Sequence, residues 1–204
     1  MKQKLPFIKT RAQARAYVSK VGVCGIFSDG KVGMANLWDA VDLPHRKPGD
    51  KGWGQKVTAI WTWKDELPAL YPEKIFYGKI PGGLAVLMTM EHLRSVHYPK
   101  CHVPIGECGT LAQRIYRAIR LDPMTTAALR RELDMRLRPE RSKFDRALLE
   151  LQVTLNIARR NSLKDKNDTW VLFSDQHLGV VRAAAEDAGA KNISPRAKKV
   201  PKKV

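Results

Sequence analysis

The chain has 204 residues, 44% of them apolar, and carries a formal net charge of +17 from 37 basic against 20 acidic side chains. That length suits one domain or two small ones, and no apolar run approaches the ~18 residues that would mark a membrane-spanning helix. Three cysteines make no disulfide framework, while the charge points to a polyanionic partner whose binding weakens as salt rises.

The segment MKQKLPFIKTRAQ is charged and lacks the apolar centre of a secretory signal, so a cytoplasmic location is expected. Arg11–Val21 reads as a helix. The apolar piece VGVCGIF runs on to Asp29-Gly30, a turn signal. Ala35–Val41 reads as a short helix, and the Pro-, Gly- and charge-rich stretch 43–54 as a loop able to touch a ligand. Gln55–Leu70 has a helical pattern that ends before Pro72. Lys74–Ile80 and Leu84–Met88 flank Pro81-Gly82-Gly83 and read as a hairpin, followed by a short helix over Glu91–His97. Pro99–Gly109 (PKCHVPIGECG) is the expected boundary, with one module over 1–105 and a second over 106–178.

In the second module Leu111–Arg120 has Leu111, Ile115, Ala118 and Ile119 at helical spacing, and Asp122-Pro123 stops it. Thr125 or Thr126 caps a second helix, AALRREL. Arg138-Pro139 is read as a break, and Ser142 as the start of a third helix with Asp145 three residues on. Phe144, Leu148, Leu151 and Leu155 form its apolar stripe. Strand-like pieces at Thr154–Ala158 and Trp170–Phe173 flank the polar run 162–168. Residues 179–204 begin with a helix over Val180–Ala188 and end in a basic tail expected to be disordered. Lys191–Val204 holds six basic residues and no acid.

Three helices followed by a hairpin is the order of a winged helix, whose third helix commonly enters the DNA major groove. The expected fold class is therefore mainly α with small β-hairpins (α+β), as tandem winged-helix-like modules with the basic tail. DNA, in duplex form, is the expected partner, and association with the nucleoid is consistent with that. On the third helix Arg141, Ser142, Lys143 and Arg146 are the candidates for groove or phosphate contact. Lys164 and Lys166 in the wing, Arg130 and Arg131 in the second helix, and Lys198 and Lys199 in the tail suit phosphate. The bland alternative is a solvated helix surface, since Asp145 and Glu150 lie close to Lys143 and Arg146. Cys101-His102 with Cys108 lacks CxxC spacing and a fourth ligand, so neither a metal nor a cofactor is expected.

The segment 60–68 (IWTWKDELP) puts Trp61 and Trp63 close to two carboxylates. An acid in a tryptophan-lined cleft, Glu66 first and Asp29 after it, could act as a general acid or base. The structural alternative has Trp61 and Leu67 filling a core and Glu66 paired with a base such as Lys64 or Arg15.

TWKDELP (62–68) followed by RSKFDRALLELQ (141–152) resembles the AlkZ/YcaQ-type DNA glycosylases, over roughly Arg11 to Asp175. The resemblance implies tandem winged-helix domains and DNA as ligand, and it marks Trp63 and Glu66. Active members of that family carry a Gln-x-Gln or Gln-x-Asp pair after an N-terminal helix, which positions water near the sugar. The matching stretch here is Val23–Phe27, which puts Gly25 and Phe27 at the two catalytic positions, and neither pair occurs anywhere in the chain. A divergent or non-catalytic DNA-binding relative is therefore expected. The alternatives are a glycosylase using another acid, a transcription regulator (although no dimerisation helix is evident) and an RNA- or ribosome-associated protein.

Overall fold

The computed structural model describes residues 7–28, 33–165 and 167–193, with no account of side chains over 188–193. Asp29, Lys166, Lys198 and Lys199, and with them the expected tail, lie outside the described residues. Among the described residues the chain is mostly helical, with two three-stranded antiparallel sheets, an α+β composition. No helix there is long and apolar enough to cross a membrane.

The N-terminal elements are α1 (Arg11–Val21), β1 (Val23–Gly25), α2 (Leu37–Ala40), α3 (Gln55–Leu70), β2 (Ile75–Lys79) and β3 (Ala85–Thr89). Thr10 caps α1 in a reciprocal box with Gln13, and Gly22 ends it at φ 78°, a conformation open to a residue without Cβ. α3 contains Pro68, which has no N–H to give the carbonyl of Lys64 one turn back. That carbonyl is instead reached by Arg159 Nη2 at 3.5 Å, from a strand in the other half of the chain. The expected hairpin is β2 and β3, but β1 also pairs with β3, so the sheet order is β1-β3-β2.

A helical link follows: α4 (Met90–His92), one π-helical turn over Leu93–His97, and α5 (Tyr98–Cys101). A single 3-10 turn, Ile105–Glu107, leads into α6 (Thr110–Leu121), β4 (Met124–Thr125), α7 (Thr126–Glu132), α8 (Arg138–Val153), β5 (Ile157–Arg159) and β6 (Thr169–Leu172). This second set repeats the first: helix, strand, helix, helix, strand, strand, with sheet order β4-β6-β5. Both third helices, α3 and α8, are 16 residues long. α9 (Phe173–Gln176) and α10 (Leu178–Ile193) close the described chain.

Two sequence expectations about α8 are corrected. Arg138-Pro139 does not break the chain but opens the helix: Pro139 sits in the first turn, where a missing N–H costs nothing. Ser142 is therefore inside α8, a turn past its start. Leu155 does not continue the α8 stripe, because Thr154 already caps the helix. Leu155 takes φ 54°, and its N–H donates to Gln152 O while that of Asn156 donates to Leu151 O, the paired bonds of a helix stop usually built on glycine.

Three cores result. Ile60, Trp63 and Leu67 of α3 pack with Val18, Leu37, Ile75 and Leu87 in the first. Ile115, Ile119, Phe144, Leu148, Ile157 and Trp170 fill the second. The third lies between the two sets. Because side chains alternate along a strand, Ile75 and Leu87 face the first core while Phe76, Val86 and Met88 face away into the third. Ala158 does the same from the second sheet, and Leu93, Tyr98, Phe173 and Val180 complete that core. The stretch 99–109 packs on the second set, where Asn156 Nδ2 donates to Val103 O at 2.9 Å.

Candidate functional site

α8 is anchored by Phe144, Ala147, Leu148 and Leu151, all buried. With that face fixed, Arg138, Arg141, Ser142, Lys143 and Arg146 are exposed on the rest of the helix. Arg141 Nε donates to Arg136 O at 2.8 Å, which pins its guanidinium near the start of α8. Arg146 Nε donates to Ser142 O at 3.3 Å. Of the acids on this helix, Asp145 is taken by Arg130 Nη2 at 2.5 Å, and Glu150 accepts from the backbone N–H of Gly109 at 2.8 Å. The Arg130 guanidinium also lies over the Phe144 ring, 5.4 Å from its centre, so this arginine works as a strut between α7 and α8. Arg131 beside it is exposed. Among the described residues, Arg131, Arg138, Arg141, Lys143 and Arg146 have no carboxylate partner.

The connection between β5 and β6 carries Lys164, exposed, with its backbone N–H donating to Ser162 Oγ at 3.2 Å. Arg160 braces this connection by a two-pronged contact with Asp165, at 2.8 and 3.0 Å. That hydrogen bonding holds the Asp165 carboxyl below the usual carboxylate range.

Trp61 and Trp63 do not share a cleft. Two residues apart on a helix they point in roughly opposite directions; Trp63 is buried in the first core and Trp61 is 42% exposed. Glu66 pairs with Arg11 Nη1 at 2.9 Å, tying α3 to α1. Of the structural arrangement weighed from the sequence, Leu67 in the core and a paired Glu66 hold, with Arg11 as the partner in place of Lys64 or Arg15. The core position expected for Trp61 is taken by Trp63.

Trp61 instead joins aromatic rings that come from separate segments. Phe27 lies 6.1 Å from Trp61 and 5.7 Å from Trp38, and Trp53 meets Trp61 edge to face at 5.6 Å. His45 meets the Trp38 edge at 5.3 Å. Two ammonium groups sit on these rings: Lys56 over Trp38 at 4.9 Å and Lys64 over Trp61 at 4.7 Å. The sequence reading missed Phe27, Trp38, Trp53 and His45 as one surface. The available signal was the interleaving of aromatic with basic residues between Trp38 and Lys64.

The same geometry bears on the two positions where the resemblance calls for water-positioning side chains. A Cβ at Gly25 would stand 3.2 Å from Phe27 O and 3.3 Å from Asn36 Cβ, closer than side chains ordinarily pack. Phe27 offers only a ring, and that ring belongs to the aromatic surface.

Beneath that surface runs a charged cluster linking the two sets of elements. Arg159 of β5 and Lys64 both contact the carboxylate of Asp65, and Arg159 also lies over the Tyr77 ring at 4.3 Å. Burial pushes Asp65 up, but hydrogen bonds from Lys64 and Arg159 outweigh it and hold the carboxyl below its ordinary value. Burial, then Arg159, lowers Lys64. Burial pushes Tyr77 and the Cys24 thiol up to about 12, so neither ionises near neutrality. Among the described residues no three His, Cys, Asp or Glu side chains cluster as metal ligands.

Comparison with known proteins is consistent with this picture. Neither curated proteins nor solved structures give a match. A family model described as "AlkZ related" matches residues 8–172, from the strand bridge before α1 to the end of β6. With both sets of helices and strands inside that match, the chain belongs to the AlkZ-related family.

Proposed function

We propose that this protein binds duplex DNA through the exposed face of α8, as a divergent, non-excising relative of the winged-helix repair glycosylases. The observation that carries the reading is the set Arg138, Arg141, Lys143 and Arg146 exposed on a third helix, with Asp145 paired with Arg130 and Glu150 turned to accept from the backbone N–H of Gly109. The repeated helix-strand-helix-helix-strand-strand order, with each first strand on the outside of its sheet, supports the winged-helix reading. Arg131 flanks the same helix, and Lys164 and Lys166 on the β5–β6 connection take the wing's role at phosphate. Lys198 and Lys199 in the tail add contacts that carry charge without sequence information. Cytoplasmic residence on the nucleoid follows from such a role.

Binding without excision is favoured by what occupies the reactive positions. Gly25 has no side chain and Phe27 has no polar atom to orient water. Glu66, the alternative acid, is engaged by Arg11. The test is one panel of plain, alkylated, abasic and crosslinked duplexes, scored for binding and for base release. Salt-sensitive binding with no released base is expected. Release of any base that is lost in Glu66→Gln, with folding intact, would contradict the non-excising role.

A further inference from the structure

The proposed duplex contact leaves the aromatic surface on the other set of elements unused. Trp53 is 63% exposed and Trp61 42%, in edge-to-face contact rather than turned into the core. Each leaves part of an indole open to solvent, which a chain with a filled core nearby has no packing reason to do. The rim is cationic. Arg46, Lys47 and Lys51 are exposed on the loop that carries Trp53, while Lys64 and Lys56 lie buried against the Trp61 and Trp38 rings. Asp50, the acid of that loop, is turned back to accept from the backbone N–H of Lys47 at 2.9 Å.

We infer that Trp53 and Trp61 form a stacking platform for unpaired nucleobases in a DNA strand. Exposed indole surface flanked by the ammonium and guanidinium groups of the loop fits a ligand that is planar and apolar on its rings and anionic on its backbone. A paired base inside a duplex hides both faces against its neighbours. The platform therefore takes bases that are already unstacked, as in a gap, a bulge or a single strand. A protein partner would bring acidic side chains to the cations but has no need of flat ring-on-ring contact. This inference rests on the duplex-binding reading, because it gives the DNA held by α8 a second and distinct point of contact.

The test uses the full chain with three labelled DNAs of one sequence: an intact duplex, the duplex with a short single-stranded gap, and the single strand. A single-stranded RNA of that sequence is the fourth arm. Trp53→Ala is expected to weaken gap and single-strand binding roughly 5- to 150-fold, the worth of one base–aromatic stack. Intact-duplex affinity stays unchanged, and Trp53→Phe, which keeps a ring, recovers most of the loss. Indole fluorescence of the wild type falls on adding the single strand. Trp53 is largely exposed, so its removal leaves the core intact, and an unaltered thermal melt establishes this. Equal affinity of wild type and Trp53→Ala for the gapped duplex overturns the platform, as does an equal loss on the intact duplex. Tighter binding of RNA than of DNA overturns the choice of ligand. If the wild type ignores the intact duplex yet binds the single strand through Trp53, the platform stands and the α8 reading falls.

Discussion

His177 shows how a single side chain couples this fold to pH. It is buried in the third core against Phe76 and Phe173, with ring centres at 5.2 and 4.9 Å. Burial pushes its pKa down to about 4, from an ordinary value near 6.5. The unfolded chain therefore binds a proton between those values that the folded chain refuses. Stability from the neutral ring is complete above pH ~6.5 and is lost as pH falls toward 4, by roughly 3 kcal/mol in all. Chemical denaturation across that window should show the decline in the wild type and a flatter profile in His177→Phe. An identical slope in both would mean that other groups carry it. Asp65 works in a lower window: its depressed carboxyl adds stability above the ordinary carboxylate pKa, lost as pH falls through its folded value. At this scale the sequence was a partial guide. It favoured a paired Glu66 over a working acid but named Lys64 or Arg15 as the partner, where the structure has Arg11. It could not show Arg159 reaching Asp65, because the partners are 94 positions apart and meet only through tertiary packing.

Among the elements, those with a sustained period were legible. α1, α3 and α6 begin and end within a residue or two of where apolar spacing and stop signals put them. β1 and β4 were not, since two or three residues carry no alternation, and each becomes a strand only by pairing with the third strand of its sheet. The start of α8 was misplaced because proline, a breaker inside a helix, is favoured in the first turn. The aromatic surface was hidden for a related reason. It is assembled from β1's exit, α2, the following loop and α3, and no local spacing joins them. Thr125 sits where β4 becomes α7, and its Oγ accepts from the N–H of Ala128 at 3.2 Å. Thr125→Ala should lower stability by about 1 kcal/mol, read as a shift in denaturation midpoint. No shift would mean that water caps α7 equally well.

The whole molecule is two copies of one topology held back to back by a shared core and by the Arg159–Asp65 contact. That arrangement buries the rear of both sheets and leaves the two third helices to face different surroundings. α3 spends its polar residues on internal pairs with Arg11 and Arg159, whereas α8 leaves its arginines and Lys143 to solvent. The difference is why α8 rather than α3 is assigned to DNA, in a chain whose charge of +17 already favours phosphate. The most direct measurement is duplex binding as a function of salt, for the wild type and for the double variant Lys143→Ala/Arg146→Ala. The wild type should lose affinity steeply as salt rises. The variant should bind more weakly, with a log–log slope shallower by about 1.8, the worth of two released counterions. A slope unchanged by the double substitution, or wild-type binding indifferent to salt, would contradict the placement of DNA on α8.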